Sequence, residues 1–312
     1  MNRLIKAVCS VALLAAFNLQ ATEAIYQVMP LKDISSLVAE GNIVVEVKQA
    51  NDEKAEIYLR KNGKNSVVIT QEVMSNNDNQ EQFRLRVREQ PNEAGNQNEA
   101  AALAVVKLYL KQVDLIIADE LHKLTISGQF DLKDALAVRL VGDSKAEIDL
   151  TAEAFQLNLS NSSSANITAL NANRFDLSLR NQSSAVLGNG RFQQQYIKIA
   201  HQANFTMQNT QSNQINIDVR NQAKTVIDKS NKHSLADIKV KNQANVKFDV
   251  FGLEQVNATT RNHALLSLGG QAKLNAKAHN SSLITYVEVD RTPLKVKLAN
   301  AGKVEKVEIA NE

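Results

Sequence analysis

Between about residues 155 and 290, apolar and polar positions alternate with the two-residue period of a strand. One four-position motif interrupts this alternation at a regular interval. Two apolar residues, two places apart, lead into Asn or His, and a small residue follows two places later. The motif runs Leu157-Leu159-Asn161-Ser163, Leu177-Leu179-Asn181-Ser183, Ile197-Ile199-His201-Ala203 and Ile217-Val219-Asn221-Ala223. It continues as Ile238-Val240-Asn242-Ala244, Ala258-Thr260-Asn262-Ala264 and Ala276-Ala278-Asn280-Ser282. The Asn/His positions are almost evenly spaced, with one interval slightly longer and the last slightly shorter. A near-constant period of about 20 residues with strand alternation predicts an all-β, single-stranded β-helix, right-handed, whose turns stack to share one core.

Upstream, the same column is read with Gly in place of Asn: Leu124-Ile126-Gly128-Phe130 and Val138-Leu140-Gly142-Ser144. About nine rungs are expected between 105 and 290, a column roughly 40 Å long at strand spacing. Residues 36 to 90 also alternate, at Ile43-Val45-Val47, Ile57-Leu59, Val67-Ile69 and Phe83-Leu85-Val87, with polar turns between. The polar stretch 90 to 100 reads as an exposed loop, and Ala100 to Leu110 fits strand or helix. The expected division is a leader over 1–24, a β-rich N-terminal cap over 25–100, and the β-helix with a C-terminal strand over 101–312.

In each turn the Asn shares the parity of the apolar pair. It therefore points inward, or it stands at a corner where the chain turns, which suits a residue that tolerates unusual backbone angles. Identical amides stacked at strand spacing can bond to one another as a ladder. On this reading Asn161, Asn181, His201, Asn221, Asn242, Asn262 and Asn280 are structural, and the small residue beyond each lets the corner close.

The outward columns follow from the same register. Just before the Asn stand Ser160, Arg180, Ala200, Arg220, Lys241, Arg261 and His279; just after it come Ser162, Gln182, Gln202, Gln222, Gln243, His263 and Ser281. A Gln ladder thus runs beside a partly basic stripe. Like charges on neighbouring rungs repel unless something compensates, and Asp176, Asp218 and Asp237 stand on adjacent columns to do so. Arg180, Arg220, Lys241 and Arg261 are the candidate ligand-binding residues. Arg and Gln together suit the hydroxyls and charged groups of an anionic glycan or another acidic envelope component.

Leu31-Lys32-Asp33-Ile34 through Gly41-Asn42-Ile43-Val44-Val45-Glu46-Val47, followed by strands and then Ile126-Ser127-Gly128 and Val141-Gly142-Asp143-Ser144, resembles the bacterial family called "putative auto-transporter adhesin head GIN domain". The resemblance covers most of the chain beyond the leader and is one of pattern. It implies a β-helix with rungs of this same length and an adhesin-like role. Here Asn-Gln-Ala stands where the family often has Gly-Ser-Gly.

Little in the chain points to chemistry. His122, His201, His233, His263 and His279 follow no metal-ligand spacing, no phosphate-binding Gly loop occurs, and no cofactor is expected. The alternative function is a β-helix polysaccharide lyase or hydrolase, which needs clustered carboxylates or a carboxylate with a basic partner. Asp176, Lys198, Asp218 and Lys239 are its candidates.

Arg3 and Lys6, the apolar run Ala7 to Phe17, and Thr22-Glu23-Ala24 predict an export signal cleaved after Ala24, too short to span a bilayer. The single Cys9 lies inside it, so no disulfide is expected. Beyond residue 24 stand 34 basic residues (36 less Arg3 and Lys6) and 32 acidic ones (33 less Glu23). That balance excludes bulk nucleic-acid binding. The sequence therefore predicts an exported, non-enzymatic scaffold of the periplasm or cell surface. Its unpaired solenoid ends are open to homo-association.

Overall fold

A strand becomes a coil only where something turns it. Here each turn from Asn161 onward is made by two consecutive residues in the left-handed backbone region. Asn161 and Ser162 have φ of 57° and 69°, Asn181 and Gln182 54° and 67°, and Asn242 and Gln243 56° and 63°. That region costs an ordinary L-residue about 1 kcal/mol or more and Asn less. The repeated Asn is therefore the residue the corner selects.

The computed structural model describes residues 26–59, 66–75, 81–90, 104–130, 135–270, 273–288 and 293–307. These residues are all-β, with no helix, and form a β-solenoid of about nine turns. The leader expected over 1–24 lies outside the described residues. The strand Ser164–Leu179 shows how a turn is built. It pairs in parallel with Lys145–Leu159 on one side and Ser184–Ala200 on the other. Against Ser184–Ala200 the pairing runs in three stretches, 164–167, 169–172 and 174–179, with Thr168 and Asn173 skipped. The chain bends at those two residues and at the Asn corner, so one turn has three walls.

Along each wall the side chains alternate inward and outward. One inward column runs Leu157, Leu177, Ile197, Ile217, Ile238, Ala258, Ala276. Another, beyond the corner, runs Ala185, Phe205, Thr225, Val246, Leu266, Ile284. At the C-terminal end the first column narrows to Ala258 and Ala276 where the second carries Leu266 and Ile284, which keeps the core filled there. Phe155 and Phe175 stack in register with ring centroids 6.0 Å apart, and Phe175 meets Phe192 at 5.4 Å.

Stack order departs from chain order at the N-terminal end. Ile34–Glu40 lies between Glu81–Gln90 and Leu115–Asp119, and Ile43–Gln49 lies between Ala104–Leu110 and Lys123–Phe130, all in parallel. Beyond them the pairing turns antiparallel. Lys54–Leu59 joins Ala104–Leu110 to Tyr26–Pro30, and Ser66–Ser75 pairs with Glu81–Gln90. The described part of the ambiguous stretch, Ala104–Leu110, is a strand that buries Ala104, Val106, Leu108 and Leu110.

Two expectations about the column need correction. Gly128 is not a corner residue: it sits in the wall opposite Leu150. The corner of that rung is Glu120, at φ 47°, one place beyond the pairing of Asp119 with Val141 and packed beside Gly142. The column also continues past Asn280. Asn300 and Ala301 have φ of 50° and 61°, and Gly302 takes the small-residue place. A Cβ at Gly302 would collide with the Ala278 backbone, so glycine is required there.

Candidate functional site

The corner Asn side chains point outward, which decides between the two expected placements. They form the anticipated ladder. Asn181 Nδ2 donates to Asn161 Oδ1 at 3.1 Å, and Asn242 donates to Asn221, Asn262 to Asn242 and Asn280 to Asn262, each at 2.8 Å. Asn300 extends the run by donating to Asn280 at 2.9 Å. His201 interrupts it, its imidazole Nδ1 facing the Asn221 amide at 3.4 Å. The small residues beyond the corner are buried. Ser183 uses its place to cap the turn, accepting from the Arg180 N–H at 3.0 Å and donating to the Leu159 carbonyl at 3.3 Å.

A second ladder stands one residue on. Gln182 donates to Gln202 at 3.5 Å, Gln202 to Gln222 at 3.2 Å and Gln222 to Gln243 at 3.1 Å. The Asn amides donate toward the N-terminal end of the stack and the Gln amides toward the C-terminal end. Between them lies a shallow open groove of about 750 Å³, running from the Asn161 rung to the Asn242 rung.

The adjoining wall carries the basic residues. The register puts Arg220, Lys241 and Arg261 on consecutive rungs of one column, with Ala200 separating Arg220 from Arg180. Arg220 is already engaged, its Nη2 2.7 Å from Asp218. Asp176 pairs with Arg174 at 2.9 Å, and Asp237 accepts from Asn257 at 2.8 Å. Compensation by the three carboxylates therefore reaches only Arg220 in the stripe. Among the described residues, Arg180, Lys241 and Arg261 have no ion-pair partner, and neither do Lys198, Lys239, Lys277, Lys295 and Lys297 on the two columns beside them. Ala200 opens a notch of about 290 Å³ flanked by Arg180, Lys198 and Arg220. A second depression of about 360 Å³ is lined by Lys277, Lys295 and Lys297 with Asn257 and Asn275. These three lysines stand off the column just before the Asn, two of them beyond Asn280, and so were not among the expected candidates.

The residues of the enzymatic alternative fall on two columns. Lys198, Asp218 and Lys239 are cross-rung neighbours, whereas Asp176 aligns with Tyr196 one column away. Asp176 and Asp218 are two rungs apart, roughly 10 Å at strand spacing, and each is held by an arginine. No group of three or more His, Cys, Asp or Glu side chains able to hold a metal occurs among the described residues.

Nothing in the pattern foretold the polar groups inside the column. His233 lies in the core against Phe248, with Nδ1 2.8 Å from the Ser212 hydroxyl and Nε2 without a partner. Burial lowers its pKa to about 4. Gln195 follows Phe155 and Phe175 in an inward column, fully buried, and neither end of its amide is hydrogen-bonded. Both residues share the strand parity of the apolar set, so only their polarity marked them.

The chain matches no protein-family model and no curated protein sequence. Among solved structures it is similar to one named "putative adhesin" from Parabacteroides merdae, at 12% identity and a TM-score of 0.51, covering 92% of this chain and 97% of that one. A second, also named "putative adhesin", from Parabacteroides distasonis, has 12% identity, a TM-score of 0.48 and coverage of 91% and 97%. A "putative lipid binding protein" from the same organism has 9% identity, a TM-score of 0.43 and coverage of 91% and 97%. At these identities the likeness is one of fold, and only the first carries it.

Proposed function

We propose that the protein is a non-enzymatic binding scaffold of the bacterial envelope or surface, adhesion-like in role, whose basic wall engages an acidic polymer such as an anionic glycan. One observation carries the reading: a single wall presents Arg180, Lys198, Lys239, Lys241, Arg261, Lys277, Lys295 and Lys297 without carboxylate partners. Like charges a strand spacing apart repel, and a polyanion lying along the stack would relieve that repulsion. The open, shallow depressions suit an extended ligand better than a small one. The fold shared with a "putative adhesin" supports this reading and kinship with the GIN-domain family. Export through the leader expected at residues 1–24 belongs to the same proposal.

The test is binding of the protein beginning at Ile25 to acidic and neutral glycans and to lipopolysaccharide at low and moderate salt. Binding to the acidic ligands should weaken with salt. It should fall about tenfold or more when Lys241 and Arg261 are both changed to Glu, the loss expected for about 1.4 kcal/mol. Salt-insensitive binding, or equal affinity in the double variant, would remove the basic wall from the function. Turnover of a polysaccharide abolished by Asp218→Ala in a folded protein would favour the lyase or hydrolase instead.

A further inference from the structure

The groove between the two amide ladders is chemically unlike the basic wall. It is lined by Asn, Gln, Ser and His and contains no Asp, Glu, Lys or Arg. A side-chain amide has two N–H donors and an oxygen with two lone pairs. Gln202 commits one donor to Gln222 and one lone pair to Gln182. Gln222 commits the same pair to Gln243 and Gln202. Asn221 donates toward His201 and accepts from Asn242. Each of these amides keeps one N–H and one lone pair for the solvent side. The uncommitted groups recur at strand spacing, about 4.8 Å.

The array is also rigid. The backbone N–H of Gln182 donates to the His201 carbonyl, that of Gln202 to Asn221, and that of Gln222 to Asn242, at 3.1 to 3.2 Å. These bonds tie the successive corners of the groove to one another and engage both left-handed residues of the His201–Gln202 and Asn221–Gln222 corners. A ligand would lose little free energy in ordering the site, which is the condition under which weak hydrogen bonds add up. Gln is also an unfavourable choice for the backbone there, because glycine would adopt its φ freely. The amide therefore serves the ladder and its outward face, not the turn.

We infer that this corner groove is a second binding site, for a neutral, linear, polyhydroxylated polymer of the glycan class lying parallel to the solenoid axis. A pyranose unit is about as long as the rung spacing. Vicinal hydroxyls, each both donor and acceptor, match one free N–H and one free lone pair per rung. The absence of charge on the groove selects against the acidic polymers assigned to the neighbouring wall.

The experiment is titration of the chain beginning at Ile25 with neutral linear oligosaccharides at millimolar concentration. The probes are β-1,4-linked glucose and N-acetylglucosamine and α-1,4-linked glucose, each at low and moderate salt. The variant is Gln202→Gly with Gln222→Gly, which removes two amides and keeps a residue that favours left-handed φ. Thermal unfolding checks that it folds, and Lys241→Glu with Arg261→Glu serves as the control on the basic wall. Salt-independent binding of at least one probe is expected, weakened about tenfold or more in the glycine variant and unchanged in the charge variant. Two outcomes overturn the inference: no probe binding the parent protein, or binding that survives in the folded glycine variant. Loss of binding in the charge variant alone would move the neutral ligand to the basic wall and leave the ladders purely structural.

Discussion

Asn242 concentrates three roles in one side chain. It tolerates φ of 56°, donates to Asn221 and accepts from Asn262. Alanine would lose both bonds and still need the left-handed backbone; glycine would lose only the bonds. Urea unfolding should therefore show Asn242→Ala less stable by about 2 kcal/mol and Asn242→Gly by about 1 kcal/mol. Equal losses would mean that backbone strain contributes nothing at the corner. His233 makes stability depend on pH in a defined sense. Its folded pKa, about 4, lies below the ordinary 6.5. The unfolded chain therefore takes up the proton first as pH falls. Stability is full above about pH 6.5 and declines toward pH 4, by about 3 kcal/mol in all. Denaturant midpoints across that range should show the slope, and His233→Met should flatten it.

Each turn is a repeating element that contacts only its neighbours, so whole turns should be removable where fractions are not. Deleting residues 182–201 joins Asn181 to Gln202 and restores an Asn-Gln corner. The flanking walls then meet in their existing register, because Arg174–Leu179 and Gln214–Val219 both align with the same stretch of the strand removed. Circular dichroism should report an unchanged β spectrum, with a modest fall in melting temperature for one lost interface. Deleting only 182–191 should abolish cooperative folding, since it leaves a corner facing a wall and exposes apolar columns. Failure of the 182–201 deletion to fold would show that the stack is cooperative beyond nearest neighbours. The strands around Ile43–Val47, Ile57–Leu59, Val67–Ile69 and Phe83–Val87 were legible from their alternation; Tyr26–Pro30 and Ile34–Glu40 were not, and neither was any of the pairing. Nothing local in Ile34–Glu40 says that it bonds to Glu81–Gln90 and Leu115–Asp119 at once.

For the molecule as a whole, stability should vary along the stack. Strands in the middle bond on both sides, whereas Leu294–Ala299 and Lys303–Val307 bond on one side among the described residues. Leu294, Val296 and Leu298 continue inward columns and are yet 40% to 56% exposed. Amide hydrogen exchange should be slowest over about 155–265 and fastest in these last two strands, following local opening free energies. Uniform protection would mean that the column unfolds only as one unit.

The period, the alternation and the Asn/His corners from 161 to 280 were determined by the sequence alone. They are local demands that each turn states again: apolar side chains two apart, Asn where φ must be positive, a small residue where the corner closes. Even Gly302 and the rung of Asn300 were there to be read. The tertiary structure decided what depends on groups far apart in the chain. It turned the Asn column outward, left Arg180, Lys241 and Arg261 without ion-pair partners, and assigned the corner of Gly128's rung to Glu120. It also buried Gln195 and His233 inside the column. In each case the outcome rests on which side chain lies a strand spacing away on the next turn, and that neighbour is a full turn distant along the chain.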